Sequence, residues 1–232
     1  MRPHPRAGLI AGMIAGTIAR MISGMVAGTI AALSRLVSGV QVRWVDSEPD
    51  LRQAVYFANH SSHLDFVVLW SSLPAEVRAR ARPVAAQDYW HSGLRHALAV
   101  NVFRAVLVAR QEQKGVGLQV SSDPRHAIEQ MREAMGDDES LILFPEGTRG
   151  AGEEVAAFKS GLFYLCQQRP GLRLVPAYLN NLNRILPKGE FLPVPFISKL
   201  TFGPAMTLEA GESKPAFLAR AREAVCRLKD LG

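Results

Sequence analysis

At 232 residues, 48% of them hydrophobic and 21% charged, the chain is long enough for one sizeable core and has the composition of a folded protein. The formal net charge of +6 and pI near 9.7 predict an anionic partner, either phospholipid headgroups or a phosphorylated substrate. Nucleic acid is not the expected partner. The arginines are scattered, and no helix-turn-helix, zinc-finger or aromatic RNA-binding pattern is present.

The apolar residues are concentrated at the start. Gly8 to Leu33 reads GLIAGMIAGTIARMISGMVAGTIAAL, with Arg20 its one charge and small residues at every fourth position. Ala11–Ala19 is nearly repeated by Ser23–Ala31. On a helix such spacing makes a shallow groove that another helix can approach, as in membrane bundles. At a rise of ~1.5 Å per residue the block would reach roughly 39 Å, enough to cross a bilayer core. A buried arginine is costly there, so two half-length helices in a hairpin, or one helix lying in the interface, are equally open readings. A signal peptide shares the basic start and short apolar run. Arg2 and Arg6 precede the block and Arg35 and Arg43 follow it, so flanking charge assigns no orientation. Residues 1–40 are thus expected to be a membrane-associated helix or helical hairpin, and residues 41–232 one further domain.

Beyond the block, short apolar runs alternate with helical patterns. Strands are expected at Val40–Val45, Ala54–Ala58, Pro83–Ala86, Ala105–Ala109, Ser140–Phe144, Arg173–Tyr178 and Lys199–Phe202. Helices are expected at Leu64–Ser72, Tyr89–Val100, Pro124–Met135, Ala156–Gln168 and Pro215–Leu228, the last with Ser213 as its cap. Asn180–Ile197 reads as a long loop. This alternation predicts a layered α/β domain, a largely parallel sheet flanked by helices. Cys166 and Cys226 lie in helical patterns and read as buried reduced thiols in a reducing compartment.

Two polar clusters follow predicted strands, where open α/β sheets bind their ligands. In the first, Asn59-His60-Ser61-Ser62-His63-Leu64-Asp65, a histidine stands at a strand-to-helix turn. Imidazole titrates near neutral pH, which suits a general base acting on a hydroxyl, and Asp65 could hold its tautomer. Ser62-x-x-Asp65 is also a helix-capping pattern, so Asp65 could equally serve backbone donors. A metal site from His60, His63 and Asp65 matches no strong zinc spacing. In the second, Phe144-Pro145-Glu146-Gly147-Thr148-Arg149-Gly150, Gly147 permits close backbone approach and Thr148 offers a hydroxyl. Arg149 can fork onto a phosphate, and Glu146 could accept from a substrate hydroxyl. An ordinary polar turn has the same composition. Lys159, opening the next helix, is either part of an anion site or a solvated charge.

Together the clusters resemble the glycerolipid acyltransferase family, the relatives of bacterial 1-acylglycerol-3-phosphate acyltransferase. That family's Asn-His-x4-Asp motif is matched by Asn59-His60 through Asp65, and its Phe-Pro-Glu-Gly-Thr-Arg motif by Phe144 to Arg149. Val106–Arg110 and Val175-Pro176-Ala177 are similar to two weaker family blocks, although Arg104-Ala105 and Ala109 depart from the usual glycine and acidic residue of the former. The resemblance covers roughly residues 41 to 205. It implies that His60 is the base and Asp65 its partner. It further implies that Glu146, Gly147, Thr148 and Arg149 bind a glycerol phosphate with Arg110 assisting. No metal or cofactor is implied. The donor would be acyl-CoA or acyl carrier protein, and the acceptor a lysophospholipid, 1-acylglycerol-3-phosphate first among them, in phospholipid biosynthesis. The expected location is the cytoplasmic face of the inner or plasma membrane. Another lysophospholipid or an acyl-amino-acid lipid as acceptor, an esterase or thioesterase, and a non-catalytic lipid-binding module are the rival readings.

Overall fold

The computed structural model describes residues 5–62, 64–87, 93–108, 124–150, 154–180, 182 and 197–231. Helix α1 (Pro5–Ser38) leads into strand β1 (Gln41–Trp44). Then come β2 (Ala54–Ala58), α2 (Asp65–Ser72), α3 (Ala75–Arg80), β3 (Ala81–Ala86), α4 (Gly93–Asn101) and β4 (Val106–Val108). The chain continues through α5 (Pro124–Met135), β5 (Ser140–Leu143), α6 (Gly161–Gln168), β6 (Arg173–Asn180), β7 (Lys199–Phe202) and α7 (Lys214–Arg227).

The seven strands form one sheet in the order β1-β7-β6-β2-β5-β3-β4. Every neighbouring pair is parallel except β6 and β7. The expected layered, largely parallel α/β sheet is what the chain forms. Its centre is β2, whose Ala-Val-Tyr-Phe-Ala is buried at all five positions, as a strand covered on both faces requires. Val55 and Phe57 face a core with residues from α5, α6 and α7. Ala54, Tyr56 and Ala58 face a second core with α1 and α2. Burial pushes the Tyr56 phenol up to about 12. Each fully buried Leu or Phe in these layers contributes about 1.5–3 kcal/mol relative to exposure.

Side-chain donors finish the helices at the edge away from the β2 terminus. Gln53 and Arg82 donate to the last carbonyls of α5, at Met135 (3.0 Å) and Ala134 (2.9 Å). At α7 the predicted cap is in place, with Ser213 Oγ accepting from Ala216 N at 3.4 Å.

Of the two forms expected for the N-terminal block, the chain takes the single helix, uninterrupted over Pro5–Ser38. No proline interrupts the helix after Pro5, and glycines cost only about 1 kcal/mol each. Ala31 and Ser38 are buried, packing the end of α1 into the core beside α2. Helix α3 was not expected, because six residues are too few to show a period. Finally, α6 begins at Gly161 rather than Ala156, since the preceding residues are held as a strap across the two turns described next. The expected helix at Tyr89 is described from Gly93 onward, and most of Asn180–Ile197 lies outside the described residues.

Candidate active site

Strands β2 and β5 are parallel neighbours, with Val55 opposite Leu141 and Phe57 opposite Leu143. Their carboxyl ends therefore open on the same edge, and the two polar turns emerge side by side. They are bonded to each other. His60 N donates to Glu146 Oε1 at 2.7 Å, and Gly150 N donates to His60 O at 2.8 Å.

In the first turn, His60 Nδ1 lies 2.8 Å from Asp65 Oδ2. The same carboxylate oxygen accepts from Ser61 N at 2.6 Å and Ser62 N at 2.8 Å. The two readings of Asp65 are therefore one arrangement: a single oxygen satisfies backbone donors before α2 and holds the ring. The Asp65 side chain is fully buried, whereas that of His60 is 21% exposed. A carboxylate on Nδ1 makes that nitrogen the donor and leaves Nε2 with its lone pair, the state a proton acceptor needs. The Phe144 ring stacks on the imidazole at 4.4 Å between centroids, 23° from parallel, which fixes the second rotational freedom of His60.

Asn59 anchors the strand end beneath the histidine. Its side-chain amide donates to Leu179 O at 2.9 Å and accepts from Leu179 N at 2.8 Å, adding a buried rung between β2 and β6. This fixes the direction in which the chain delivers His60.

The second turn spends its carboxylate differently. Glu146 is 4% exposed. Its Oε1 accepts from His60 N and its Oε2 from Ala156 N at 2.9 Å. Each oxygen of this carboxylate, which the sequence offered as an acceptor for a substrate hydroxyl, takes one backbone N–H. They join the first turn, the second turn and the strap. The strap is held again by Lys159 N donating to Pro145 O at 2.8 Å and by Arg222 of α7 donating to Val155 O at 2.8 Å.

Gly147 has φ +70°, and a Cβ there would meet Cδ, Cε and Nζ of Lys159 at 2.8 Å. The lysine stem thus lies across the glycine and carries its ammonium over the turn. Thr148, Arg149 and Lys159 are exposed on the same rim. Preorganised cations and an open backbone turn are what an oxyanion or phosphate needs. Arg110 and His63 lie outside the described residues. Burial raises the Cys166 thiol to about 12, which keeps it protonated and unreactive.

An apolar groove of about 250 Å³ runs between α1 and α2, lined by residues that include Ile30, Leu33, Val37, Leu64 and Val67. Leu64 adjoins Asp65, so the groove reaches the first turn.

The acyltransferase family model matches residues 39–180, well over half of the chain and both turns with it. The chain belongs to the acyltransferase family. Two relatives are 1-acyl-sn-glycerol-3-phosphate acyltransferases. The first, from Limnanthes douglasii, is 30% identical over 172 residues, 70% of this chain and 54% of the relative. The second, from Limnanthes alba, is 30% identical over 170 residues, 69% of this chain and 53% of the relative. The chain therefore spans about half the length of these relatives. The crystal structure of the 1-acyl-sn-glycerophosphate (LPA) acyltransferase PlsC from Thermotoga maritima shares the fold, with a TM-score of 0.68. That likeness covers 91% of this chain and 80% of the other at 18% identity. Within the acyltransferase family, the resemblance first drawn from the two clusters is thus substantiated by independent comparison.

Phe144 as a platform, Glu146 as a brace and Asn59 as a rung carry no signal in the sequence beyond their place in the two clusters. Their partners are long-range: Glu146 reaches His60 86 residues away, and Asn59 reaches Leu179 120 residues away.

Proposed function

We propose that this protein is an O-acyltransferase that moves a fatty acyl group from a thioester donor, acyl-CoA or acyl carrier protein, to the free hydroxyl of 1-acylglycerol-3-phosphate. The observation that carries the reading is the His60–Asp65 pair, bonded through Glu146 to a turn rimmed by Arg149 and Lys159. The names of the two relatives point to the same acceptor.

His60 Nε2 takes the hydroxyl proton as the acceptor oxygen attacks the thioester carbonyl. The carbon–sulfur bond then breaks, and the imidazolium returns the proton to the departing thiolate. Asp65 keeps Nε2 unprotonated at the start and stabilises the cation formed midway. General-base assistance of this kind contributes about 10²–10⁴-fold, and orientation adds more. Arg149, Thr148, Lys159 and the backbone at Gly147 hold the acceptor phosphate, with Arg110 assisting. Glu146 acts as a positioning residue. The acyl chain lies in the α1–α2 groove, whose Leu64 end adjoins the base.

The enzyme works at a membrane. Gly16–Ser38 is long and apolar enough to cross one, and Met21, Met25 and Leu36 are 65%, 73% and 78% exposed. The unpaired Cys166 and Cys226 are compatible with the reading that the catalytic domain lies at the cytoplasmic face of the inner or plasma membrane.

The test is a panel of lysolipid acceptors with purified protein and one labelled acyl-CoA, read by product mass. Phosphatidate from 1-acylglycerol-3-phosphate is the expected product. Consumption of acyl-CoA at the same rate without acceptor would replace transfer by thioester hydrolysis.

A further inference from the structure

At the far end of the α1–α2 seam, two arginines meet on one oxygen. Arg35, in the last turns of α1, donates from Nη2 to Leu73 O at 3.3 Å. Arg78, on α3, donates from Nη1 to the same oxygen at 3.2 Å and to Ser71 O at 3.4 Å. Arg78 also lies over the Trp70 ring, its guanidinium carbon 5.4 Å from the centroid. Neither arginine forms an ion pair among the described residues, and Glu76, the acidic residue of α3, pairs with neither. Burial, and then the charge of Arg35, lowers the Arg78 guanidinium from its ordinary value.

Two like charges converging without a carboxylate repel each other, and an anion placed between them relieves that repulsion. Two guanidiniums that converge on one oxygen keep further N–H donors of the kind a phosphate accepts from. The surroundings say which phosphate. Arg35 borders the face of α1 that carries Met21, Met25 and Leu36, which are 65%, 73% and 78% exposed. Cations set into an exposed apolar helix face are the signature of the boundary between headgroups and acyl chains.

We propose that Arg35 and Arg78 form a binding site for the phosphate of an anionic membrane phospholipid, separate from the catalytic turns, that seats the α1–α2 seam at the bilayer surface. The site rests on the membrane-associated reading above.

The test is partition of the full chain onto phosphatidylcholine vesicles and onto vesicles that also contain phosphatidylglycerol. Wild type should prefer the anionic vesicles, and inorganic phosphate should compete only weakly. Each cation near such a surface is worth about fivefold in partition, so Arg35→Gln should lose about fivefold and Arg35→Gln/Arg78→Gln about thirtyfold on anionic vesicles alone. Arg35→Lys/Arg78→Lys should recover most of that preference. Transfer measured in detergent should be unchanged in all three variants. Arg35 is exposed, so the single variant stays informative even if the double variant folds poorly. Equal partition of wild type onto both vesicles overturns the site. So does an Arg35→Gln variant that melts lower yet partitions like wild type, since the pair would then only cap α2. Wild type that binds neither vesicle overturns the membrane reading itself.

Discussion

The two turns at the edge of the sheet are built from similar residues and use them oppositely. Each contributes one buried carboxylate. Asp65 gives one oxygen to a ring nitrogen and two amides within its own turn. Glu146 gives one oxygen to His60 N and the other to Ala156 N, and touches no ring nitrogen. The first turn is thus a self-contained device for aiming an imidazole, and the second is a clamp that holds three segments in register. The difference teaches that carboxylates in two similar turns can serve the backbone differently, one within its own turn and the other across three segments.

Substitutions separate these roles. The largest effect is expected at the ring itself. His60→Ala should lower transfer by about 10²–10⁴-fold with folding and vesicle binding intact, as measured by product formation and thermal melting. Asp65→Asn should approach that loss, because the amide oxygen can still accept at the Oδ2 position but the neutral side chain no longer stabilises an imidazolium. It should also destabilise the fold by about 1–3 kcal/mol, read from denaturant unfolding. Glu146→Gln sharpens the contrast. The new NH₂ opposes a backbone donor, so about 1–3 kcal/mol of stability should be lost, and kcat should fall while the acceptor KM changes little. A large rise in acceptor KM instead would return Glu146 to direct substrate contact. Arg149→Ala should act in the reverse sense, raising acceptor KM with kcat nearly kept. The smallest effect is expected at Asn59→Ala, which removes a buried rung. It should lower stability by about 1–3 kcal/mol and activity only modestly.

Much of the frame was legible from pattern. Ala54–Ala58, Pro124–Met135 and Lys199–Phe202 begin and end where their apolar runs or caps predict, because short buried strands and a strongly periodic helix are decided locally. The two clusters were legible too, and the Asp65 oxygen that contacts the His60 ring also accepts from backbone amides ahead of α2. Long-range demands were not legible. Residues 156–160 have a helical pattern yet stay outside the helix, because Ala156 N and Lys159 N are claimed by Glu146 and Pro145. Arg20 left a hairpin and a single helix both open, and the choice of one helix over Pro5–Ser38 is not encoded by the local pattern. The stacking of Phe144 on His60 depends on two strand ends meeting, and nothing local encodes that.

The most direct measurement compares purified wild type with His60→Ala in a single assay, following the labelled acyl group from acyl-CoA to 1-acylglycerol-3-phosphate by mass. An imidazole base predicts abundant phosphatidate from wild type and a loss of at least about a hundredfold in a variant that melts normally. Comparable product from both would contradict it.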